Sequence, residues 1–380
     1  MEFRELGRTG LDVSAIGLGT EYLINLPCEH VIAVIREAIA QGINYFDLFF
    51  AQPEFRNNMG AAFKGYRDRV FLAAHLGAAD QDGQYTRTRS LKTCEYFFHD
   101  FLARYDTDYA DILFLHNSDG QKDYATLMNP GGLLDMALRF QQEGKARFVG
   151  FSGHTVETAV QAVESGKIDV LMFSINLAAN AVPGKKELLK ACVAHHVGLV
   201  AMKPYAGGKL LSKERTVHVE QTQMGGEALK LKKSAPITPV QCLSYALAQV
   251  GVATTVPGCG NLEQLAAALA YQDATEEEKD FSAIVTDFKQ YVTGECVYCN
   301  HCLPCPSKID IGQTLRLLDM ARQNLTAELR AAYNALSAKA SACTQCGACE
   351  ERCPFGVDVI TKMQQAVELF GEHKCSTMLN

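Results

Sequence analysis

The chain has 380 residues, of which 48% are apolar and 21% charged, and its net charge is −7. This length and composition are typical of a globular protein with one large and one small domain. The negative charge argues against nucleic acid or an anionic membrane as the main partner. The amino terminus lacks an apolar signal-peptide core, and no segment reaches the ~18 apolar residues of a membrane span. We therefore expect a protein of the reducing cytoplasm, in a cell with little oxygen.

From Ala15 to about Ala270, short apolar runs alternate with amphipathic stretches, which is typical of β/α units around a parallel sheet. Eight strands are predicted, at Ala15–Gly19, Asn44–Asp47, Val70–His75, Asp111–His116, Phe148–Ser152, Asp169–Phe173, Gly198–Lys203 and Ala253–Val256. Helices are predicted between them, for example at His30–Ala40 and Thr155–Ser165. This pattern predicts an α/β fold, a (β/α)8 TIM barrel. A doubly wound sheet is the alternative, but Gly17–Thr20 lacks the third glycine of its phosphate-binding turn.

Other segments flank or interrupt the predicted barrel. Phe3–Ser14 predicts a β-hairpin that turns at Arg8–Gly10 and covers the bottom of the barrel. A polar insert at about 207–236 predicts a loop over the active-site face. A helix over Thr275–Val292 is predicted to bridge to a second domain. We thus expect the barrel in residues 1–272, and the bridging helix with a small, mostly helical, ferredoxin-like domain in 273–380. Two helices of that domain are predicted at Ile311–Met320 and Leu325–Leu336.

Eight of the fourteen cysteines form two short runs near the carboxyl terminus, and each run ends at a proline. The members are Cys296, Cys299, Cys302 and Cys305 in the first run, and Cys343, Cys346, Cys349 and Cys353 in the second. In two-cluster ferredoxins, the fourth cysteine of such a run ligates the other cluster. The spacing therefore predicts two [4Fe–4S] clusters. We expect Cys353 to complete the first set of three, and Cys305 to complete the second.

Zinc and disulfides are the alternatives for these cysteines. A structural zinc site favours two separated Cys-x2-Cys pairs, and a disulfide framework is typical of short secreted chains. Neither pattern fits two runs of closely spaced thiols that end at Cys-Pro. The other cysteines are scattered, as small buried apolar side chains usually are, at Cys28, Cys94, Cys192, Cys242, Cys259 and Cys375.

Several segments carry the motifs of a known family: Leu6–Gly19, Asn44–Asp47, Asp111–His116, Gly144–Ser152 and Met202–Gly208. Through them the chain resembles the aldo/keto reductase superfamily. Together with the cysteine-rich tail, the last segment resembles the ferredoxin-fused branch of that superfamily. The resemblance covers essentially the whole chain and implies the same barrel.

The resemblance implies a catalytic aspartate, a tyrosine five residues later, a lysine ending strand three and a histidine ending strand four. Asp47 and His116 match two of these, whereas Gln52 and His75 stand at the tyrosine and lysine positions. Glutamine cannot act as an acid at neutral pH. We expect His116 to exchange a proton, His75 to act as its electrostatic partner, and Asp47 to orient one imidazole and stabilise its charge. A divalent metal on these three side chains is an alternative.

The resemblance also implies a nicotinamide site, of which this sequence keeps only part. Ser152 matches the serine after strand five, and backbone amides around Gly258 are candidates to hold a phosphate. Gly258 and Gln264 stand where relatives that bind the 2′-phosphate supply lysine and arginine. Lys203 is a candidate to hold an anionic group or form a Schiff base, or is structural. NADP(H) is kept as an alternative cofactor.

The carboxyl ends of the strands carry the chemistry of such barrels. Besides the residues above, these strand ends present Glu21, His154 and Asn176. Three tyrosines, Tyr22, Tyr45 and Tyr205, are candidates either to line the pocket or to pack in the core of the barrel. We expect an oxidoreductase that exchanges electrons between two clusters and a small organic substrate, with a ferredoxin or flavodoxin as a candidate electron partner. The alternatives are an NADP(H)-dependent carbonyl reductase with a rearranged acid, a non-catalytic electron carrier, and acid–base elimination or isomerisation.

Overall fold

The structure is a computed structural model of the chain. It describes residues 1–118, 120–179, 182–211, 216–219, 229–232, 236–282, 284, 296, 300, 302–323, 325–353 and 356–371, without the side chains of 216–219, 229–232, 323 and 328. The chain divides into two compact units. The first comprises Met1–Asp80, Arg87–Val217 and Leu231–Tyr291, and the second comprises Gln81–Thr86, His218–Lys230 and Val292–Asn380.

The described residues of the two units form the following strands and helices. The strands are β1 (Phe3–Glu5), β2 (Asp12–Ser14), β3 (Leu18–Gly19), β4 (Tyr45–Leu48), β5 (Phe71–Leu76), β6 (Ala78–Gln81), β7 (Gln84–Arg87), β8 (Ala110–Leu115), β9 (Ala146–Gly153), β10 (Val170–Ser174), β11 (Gly198–Met202), β12 (Thr216–Val219), β13 (Leu229–Lys232) and β14 (Val252–Val256). The α-helices are α1 (Cys28–Ala40), α2 (Pro53–Phe63), α3 (Leu91–Arg104), α4 (Gln121–Met128), α5 (Leu133–Gln142), α6 (Val156–Glu164), α7 (Lys185–Ala194), α8 (Pro239–Leu247), α9 (Leu262–Leu269), α10 (Glu276–Lys279), α11 (Ile311–Gln323), α12 (Ala327–Asn334), α13 (Ala348–Glu351) and α14 (Val359–Phe370). Short 3₁₀ turns lie at Gly7–Thr9, Glu21–Leu23, Arg67–Arg69, Leu177–Ala179, Lys209–Leu211, Ala270–Gln272 and Ala340–Ala342.

Eight parallel strands form the barrel, in the order β3-β4-β5-β8-β9-β10-β11-β14. Two parallel bridges, Ile16 with Thr255 and Gly19 with Gly258, join its first and last strands. Each of the eight predicted strands corresponds to one of these. The predicted (β/α)8 barrel is therefore confirmed.

Side chains two residues apart on each strand fill the interior. One buried cluster contains Ile112 and Phe114 of β8, and Val200 and Met202 of β11. Since successive side chains of a strand point to opposite faces, this spacing places one face of each strand inside the barrel. The helices cover the outside with apolar stripes of helical period, as in α1, whose buried positions include Val31, Val34, Ile35 and Ala38.

The amino-terminal hairpin is confirmed. β1 and β2 pair antiparallel, with Phe3 opposite Ser14. A Cβ at Gly7 would lie 2.2 Å from the backbone nitrogen of Gly198, so only glycine fits at this position. Because Gly198 begins β11, the hairpin packs against the amino-terminal end of the barrel, as predicted.

Three segments differ from the expectation. A hairpin of β6 and β7 follows β5 and was not predicted. β12 and β13 pair as a two-stranded sheet within the insert where a loop was predicted, and the other residues of 212–235 lie outside the described part. The predicted helix Thr275–Val292 is interrupted: α10 ends at Lys279, where the Asp280 carboxylate accepts a hydrogen bond from the Ser282 N–H, and Ser282 and Ile284 are again helical. Residues 285–295 are outside the described chain.

The second unit is mostly helical in its described carboxyl-terminal part. α11 and α12 correspond to the two helices predicted there. The rings of Tyr333 and Phe370 stack with centroids 3.8 Å apart, and the Tyr333 hydroxyl accepts a bond from the Ala340 N–H. Among the helices of the described residues, none has the length and apolar character needed to cross a bilayer.

Candidate active site and cysteine-lined cavity

Asp47, His75 and His116 lie at the carboxyl ends of β4, β5 and β8. Asp47 comes two residues after Tyr45 of the buried core, and His116 two residues after Phe114. The period of two therefore directs these side chains into the barrel. All three are less than one-tenth exposed.

The three side chains form a hydrogen-bonded chain, here called the relay. The Nε2 of His75 lies 2.7 Å from Oδ1 of Asp47, and its Nδ1 lies 2.8 Å from Nδ1 of His116. Because a carboxylate only accepts, we assign the Nε2 proton to His75. One hydrogen then lies between the two Nδ1 atoms, and it can belong to either ring.

Aromatic rings enclose the two imidazoles. Phe49 stacks on His116 with centroids 5.7 Å apart, and Phe114 lies 5.0 Å from the ring of His75. This burial, with smaller effects from His75, Arg89, Arg87 and His154, lowers the pKa of His116 well below its usual 6.5. His116 is therefore neutral at neutral pH. A neutral imidazole has one donor and one acceptor nitrogen, so it can take up a proton at one and release a proton from the other.

Two arginines contribute to the positive potential at His116. Arg87 and Arg89 each donate to the backbone oxygen of Asn117, at 2.9 Å in both cases. Arg87 is the last residue of β7 and Arg89 follows it by two residues, so both come from the end of the hairpin that the sequence analysis did not predict. Their fixed charges disfavour a second proton on the ring of His116.

Neither the residue at the family's tyrosine position nor the buried tyrosines of the barrel donate a proton to the relay. Gln52 precedes α2, and its Oε1 is buried without a hydrogen-bond partner among the described residues. Tyr45 is fully buried in the barrel core, and burial raises the pKa of its phenol well above 10. Burial raises the pKa of Tyr205 in the same way. Both phenols therefore hold their protons tightly near neutral pH.

Glu21 is an ionisable group of the mouth to which the sequence analysis gave no role. It follows β3 by two residues, and Gly19 of that strand pairs with Asp47. Part of the residue stays accessible, but protein encloses its carboxyl group, and this burial raises the pKa from 4.5 to about 7. Asp47 raises it further, whereas a backbone hydrogen bond and Lys203 lower it. Glu21 thus exchanges a proton near neutral pH.

The predicted cofactor residues have other contacts in the structure. The Ser152 hydroxyl accepts a bond from the Asn117 N–H at 3.0 Å. Lys203 has a left-handed backbone with φ of 57°, and its carbonyl accepts from the Asn176 side chain at 3.0 Å. A Cβ at Gly258 would lie 2.6 Å from Oε1 of Glu21, so a carboxyl group lies directly against this glycine.

The start of α9, where a phosphate would bind, is already capped by the chain. The Gly260 N–H donates to Oε1 of Gln264 at 2.8 Å, and the Gln264 N–H donates to Oδ1 of Asn261 at 2.9 Å. With the Glu21 carboxyl beside Gly258 and no lysine or arginine from 257 to 264, this segment lacks the positive charge that favours a phosphate, and two of its N–H groups already have partners. These residues do not fit NADP(H).

Four cysteines of the two runs line one cavity of the second unit. The cavity measures about 380 Å³ including its part open to solvent, and Cys305, Cys343, Cys346 and Cys349 lie in its wall. All four carry free thiols. They are the four residues that cross-ligation between the runs predicts for one cluster. Of the other predicted set, Cys296 and Cys302 are buried, Cys353 is half-buried, and Cys299 lies outside the described residues.

Two polar side chains fix the loop that carries Cys305. Arg352, in the cavity wall, donates to the backbone oxygens of Cys302 and Pro304, at 2.7 Å each. The carboxamide of Gln84 pairs with the backbone of Cys305, accepting its N–H at 3.3 Å and donating to its oxygen at 3.5 Å. The first cysteine run is thereby tied to the second, and to the tip of the β6–β7 hairpin.

Single metal ions find no support at either place. The described part of the chain has no group of three or more His, Cys, Asp or Glu side chains that could hold a metal ion. A zinc ion draws its ligands to within ~2.0–2.3 Å of one point, whereas the four cysteines surround a cavity. Asp47 and His75 already direct their polar atoms at each other and at His116.

Comparison with known proteins supports both halves of this description. A family model described as the Aldo/keto reductase family matches residues 15–286, and one described as a 4Fe-4S dicluster domain matches residues 293–357. A solved aldo-keto reductase of Bacillus halodurans superposes with a TM-score of 0.61 at 23% identity, over 76% of this chain and 100% of that one, which shows the fold.

Curated relatives align over most of the chain. The Bacillus subtilis protein named "Uncharacterized oxidoreductase YqkF" is 27% identical over 298 residues, covering 73% of this chain and 94% of that protein. L-galactose dehydrogenase of Arabidopsis thaliana is 25% identical over 284 residues, or 70% and 86% of the two chains. L-glyceraldehyde 3-phosphate reductase of Escherichia coli is 28% identical over 251 residues, or 62% and 70%. The chain therefore belongs to the aldo/keto reductase family of oxidoreductases, and a 4Fe-4S dicluster domain follows its barrel.

Proposed function

We propose that the protein exchanges electrons between two [4Fe–4S] clusters and a small carbonyl or hydroxyl compound bound in the barrel mouth. The observation that carries this proposal is the relay of Asp47, His75 and His116, in which His75 stands at the family's lysine position, while Gln52 stands at the tyrosine position. The relay can transfer protons without a phenol. The cysteine-lined cavity can hold an iron–sulfur cluster, which would carry the electrons.

The cysteines divide into two ligand sets in this proposal. Cys305, Cys343, Cys346 and Cys349 would hold one cluster, since they line a common cavity. Cys296, Cys299, Cys302 and Cys353 would hold the other, by the same exchange of fourth cysteines. When bound, each cluster gives or takes one electron at a time, from a donor such as a ferredoxin or flavodoxin.

Proton transfer in the barrel would proceed along the relay. In its loaded state, His75 carries hydrogens on both nitrogens, and the Asp47 carboxylate stabilises its charge. His116 gives the Nε2 hydrogen to substrate oxygen and takes up the hydrogen that lies between the Nδ1 atoms. His75 is left neutral and still donates to Asp47. The observed 2.7 and 2.8 Å contacts fit both protonation states, so the transfer requires little reorganisation.

A conventional nicotinamide reductase is the alternative function. The capped start of α9 and the Glu21 carboxyl beside Gly258 argue against it, and we therefore assign no step to NADP(H). Fluorescence titration of the folded, cluster-loaded protein with NADPH and NADH tests this. Neither should bind, and micromolar binding of either would support the nicotinamide alternative.

The test of the proposal is anaerobic. The protein, reconstituted with iron and sulfide, is reduced with dithionite-reduced methyl viologen and screened against small aldehydes and ketones, beginning with glyceraldehyde. We expect turnover that falls by ~10²–10⁴-fold in His116→Ala, with the iron content unchanged. His99→Ala, a change of an exposed histidine on α3, is the matched control and should retain full turnover.

Three results, two from this screen and one from adding a ferredoxin to it, contradict the proposal. Full turnover in His116→Ala would remove the relay from the mechanism. Products at the same oxidation level as the substrate would favour elimination or isomerisation. Efficient electron exchange with a ferredoxin, but no turnover of any compound, would favour a non-catalytic electron carrier.

A further inference from the structure

The proposed reaction needs one more proton than the relay supplies. Reduction of a carbonyl to an alcohol consumes two electrons and two protons. A nicotinamide donor delivers one hydrogen together with the electron pair, as hydride, whereas a one-electron iron–sulfur donor delivers electrons alone. The barrel mouth must therefore provide both protons, and the relay passes one through His116.

We propose that Glu21 is the second proton donor of the barrel mouth. This inference rests on the proposed function. An imidazole N–H polarises a carbonyl oxygen, so we assign the O–H bond to His116 and the new C–H bond to Glu21. In the balanced step, the C=O π bond breaks and two electrons arrive one at a time from the iron–sulfur donor. His116 and Glu21 each release one proton, and these protons form the O–H and C–H bonds. Glu21 regains its proton from water, and His116 regains its proton from His75, which is in turn reloaded from water.

The position of Glu21 supports this role. Gly19 pairs in register with Asp47, and the Thr20 hydroxyl donates to the Asp47 backbone oxygen at 2.6 Å. Glu21 is the next residue, and it therefore stands beside the relay at the adjacent strand end. A Cβ at Gly19 or Gly258 would lie 2.7 or 2.6 Å from its two carboxyl oxygens. The backbone of the two strands that close the barrel thus holds this carboxyl group.

Burial favours the protonated form of Glu21, and the charges around its carboxyl group act in opposite directions. Asp47 faces it from β4, Cys259 from the segment after β14, and Lys203 from the segment after β11. Burial is the dominant effect and raises the pKa of Glu21 to about 7. A backbone hydrogen bond opposes this rise, Asp47 adds to it, and Lys203 opposes it. Cys259 is neutral near pH 7, since burial raises the pKa of its thiol to about 12. A substantial fraction of Glu21 therefore holds a proton at neutral pH.

Infrared spectroscopy tests the proton on Glu21 without substrate. In cluster-loaded protein carrying ¹³C-labelled glutamate, a protonated carboxyl band should be present at pH 6 and should titrate near pH 7. It should be missing from Glu21→Gln and present in Glu29→Gln, a change of an exposed glutamate on α1. Absence of this band from the unchanged protein at pH 6 would overturn the inference.

Turnover in D₂O tests the transfer itself. The probe is glyceraldehyde, or whichever carbonyl of the screen turns over, with methyl viologen as the donor. With the unchanged protein, we expect carbon-bound deuterium in the product. In Glu21→Gln, kcat should be ~10²–10⁴-fold lower, and the change in rate near pH 7 should be missing from its pH profile. Glu21→Asp should recover part of the lost kcat. Glu29→Gln should match the unchanged protein.

The two proposals fail in different ways. Carbon-bound deuterium with full turnover and an unchanged pH profile in Glu21→Gln overturns the second donor and leaves the proposed function standing. Product without carbon-bound deuterium overturns the proposed function, because its hydrogen would then come from a hydride donor. No turnover of any carbonyl likewise overturns the proposed function, while the infrared band still decides whether Glu21 holds its proton.

Discussion

Replacing Glu21 with glutamine should stabilise the protein at pH 8 far more than at pH 5. The pKa of this carboxyl rises from 4.5 to about 7 on folding. The folded protein therefore holds a proton that the unfolded chain releases, and the free energy of unfolding falls as the pH rises from 4.5 to about 7. At ~1.4 kcal/mol per pH unit, the buried carboxylate costs up to ~3 kcal/mol at pH 8. This is an upper bound, because part of the residue stays accessible.

Glutamine has nearly the same size and no charge, so it removes this cost. Each kcal/mol raises the melting temperature of a large domain by ~2–4 °C. At pH 8, we expect the melting temperature of Glu21→Gln to be ~5–10 °C higher than that of the unchanged protein. At pH 5, this difference in melting temperature should be less than a third as large. Anaerobic calorimetry of cluster-loaded samples measures both differences. An equal difference at the two pH values, or a lower melting temperature at pH 8, would refute this reasoning, and Glu29→Gln should show neither change.

Three further changes probe the relay and the cavity. Asp47→Asn removes the charge that stabilises protonated His75, and we expect turnover to fall by ~10²–10⁴-fold at unchanged iron content; full turnover would contradict the relay. Cys305→Ser should weaken or remove the electron paramagnetic resonance signal of one reduced cluster and leave the other, and loss of neither or of both would contradict the ligand sets. Arg352→Gln removes a positive charge from the cavity wall. The reduction potential of the adjacent cluster should fall in a redox titration, whereas Arg322→Gln, a change of an exposed arginine on α11, should leave it unchanged.

The barrel could be predicted because its signal is local. Each strand is a short apolar run, and the side chains at positions such as Ile112 and Phe114 point inward by simple alternation. The same alternation led from the sequence to Asp47, His75 and His116. The sequence could not give the Nδ1–Nδ1 contact, because ring orientation depends on packing against Phe49 and Phe114.

Other features had signals that were missed or were absent from the sequence. Asp82–Gly83, between β6 and β7, is a strong hairpin signal that could have located the hairpin. Glu21 gave no such signal, because its burial depends on Gly258, more than two hundred residues away in the chain. The end of α10 depends on a local cap by Asp280, which competes with an otherwise helical composition.

The contact between the two histidines limits how much acid the site can store. At 2.8 Å, the two Nδ1 atoms have room for a single hydrogen, and a second would place two N–H groups head to head. A second hydrogen between the rings would require the two Nδ1 atoms to move apart, against the Phe49 ring that stacks on His116. Proton capacity and site geometry are thus coupled: at the observed distance the pair shares one hydrogen, and any further proton must change the packing of the rings.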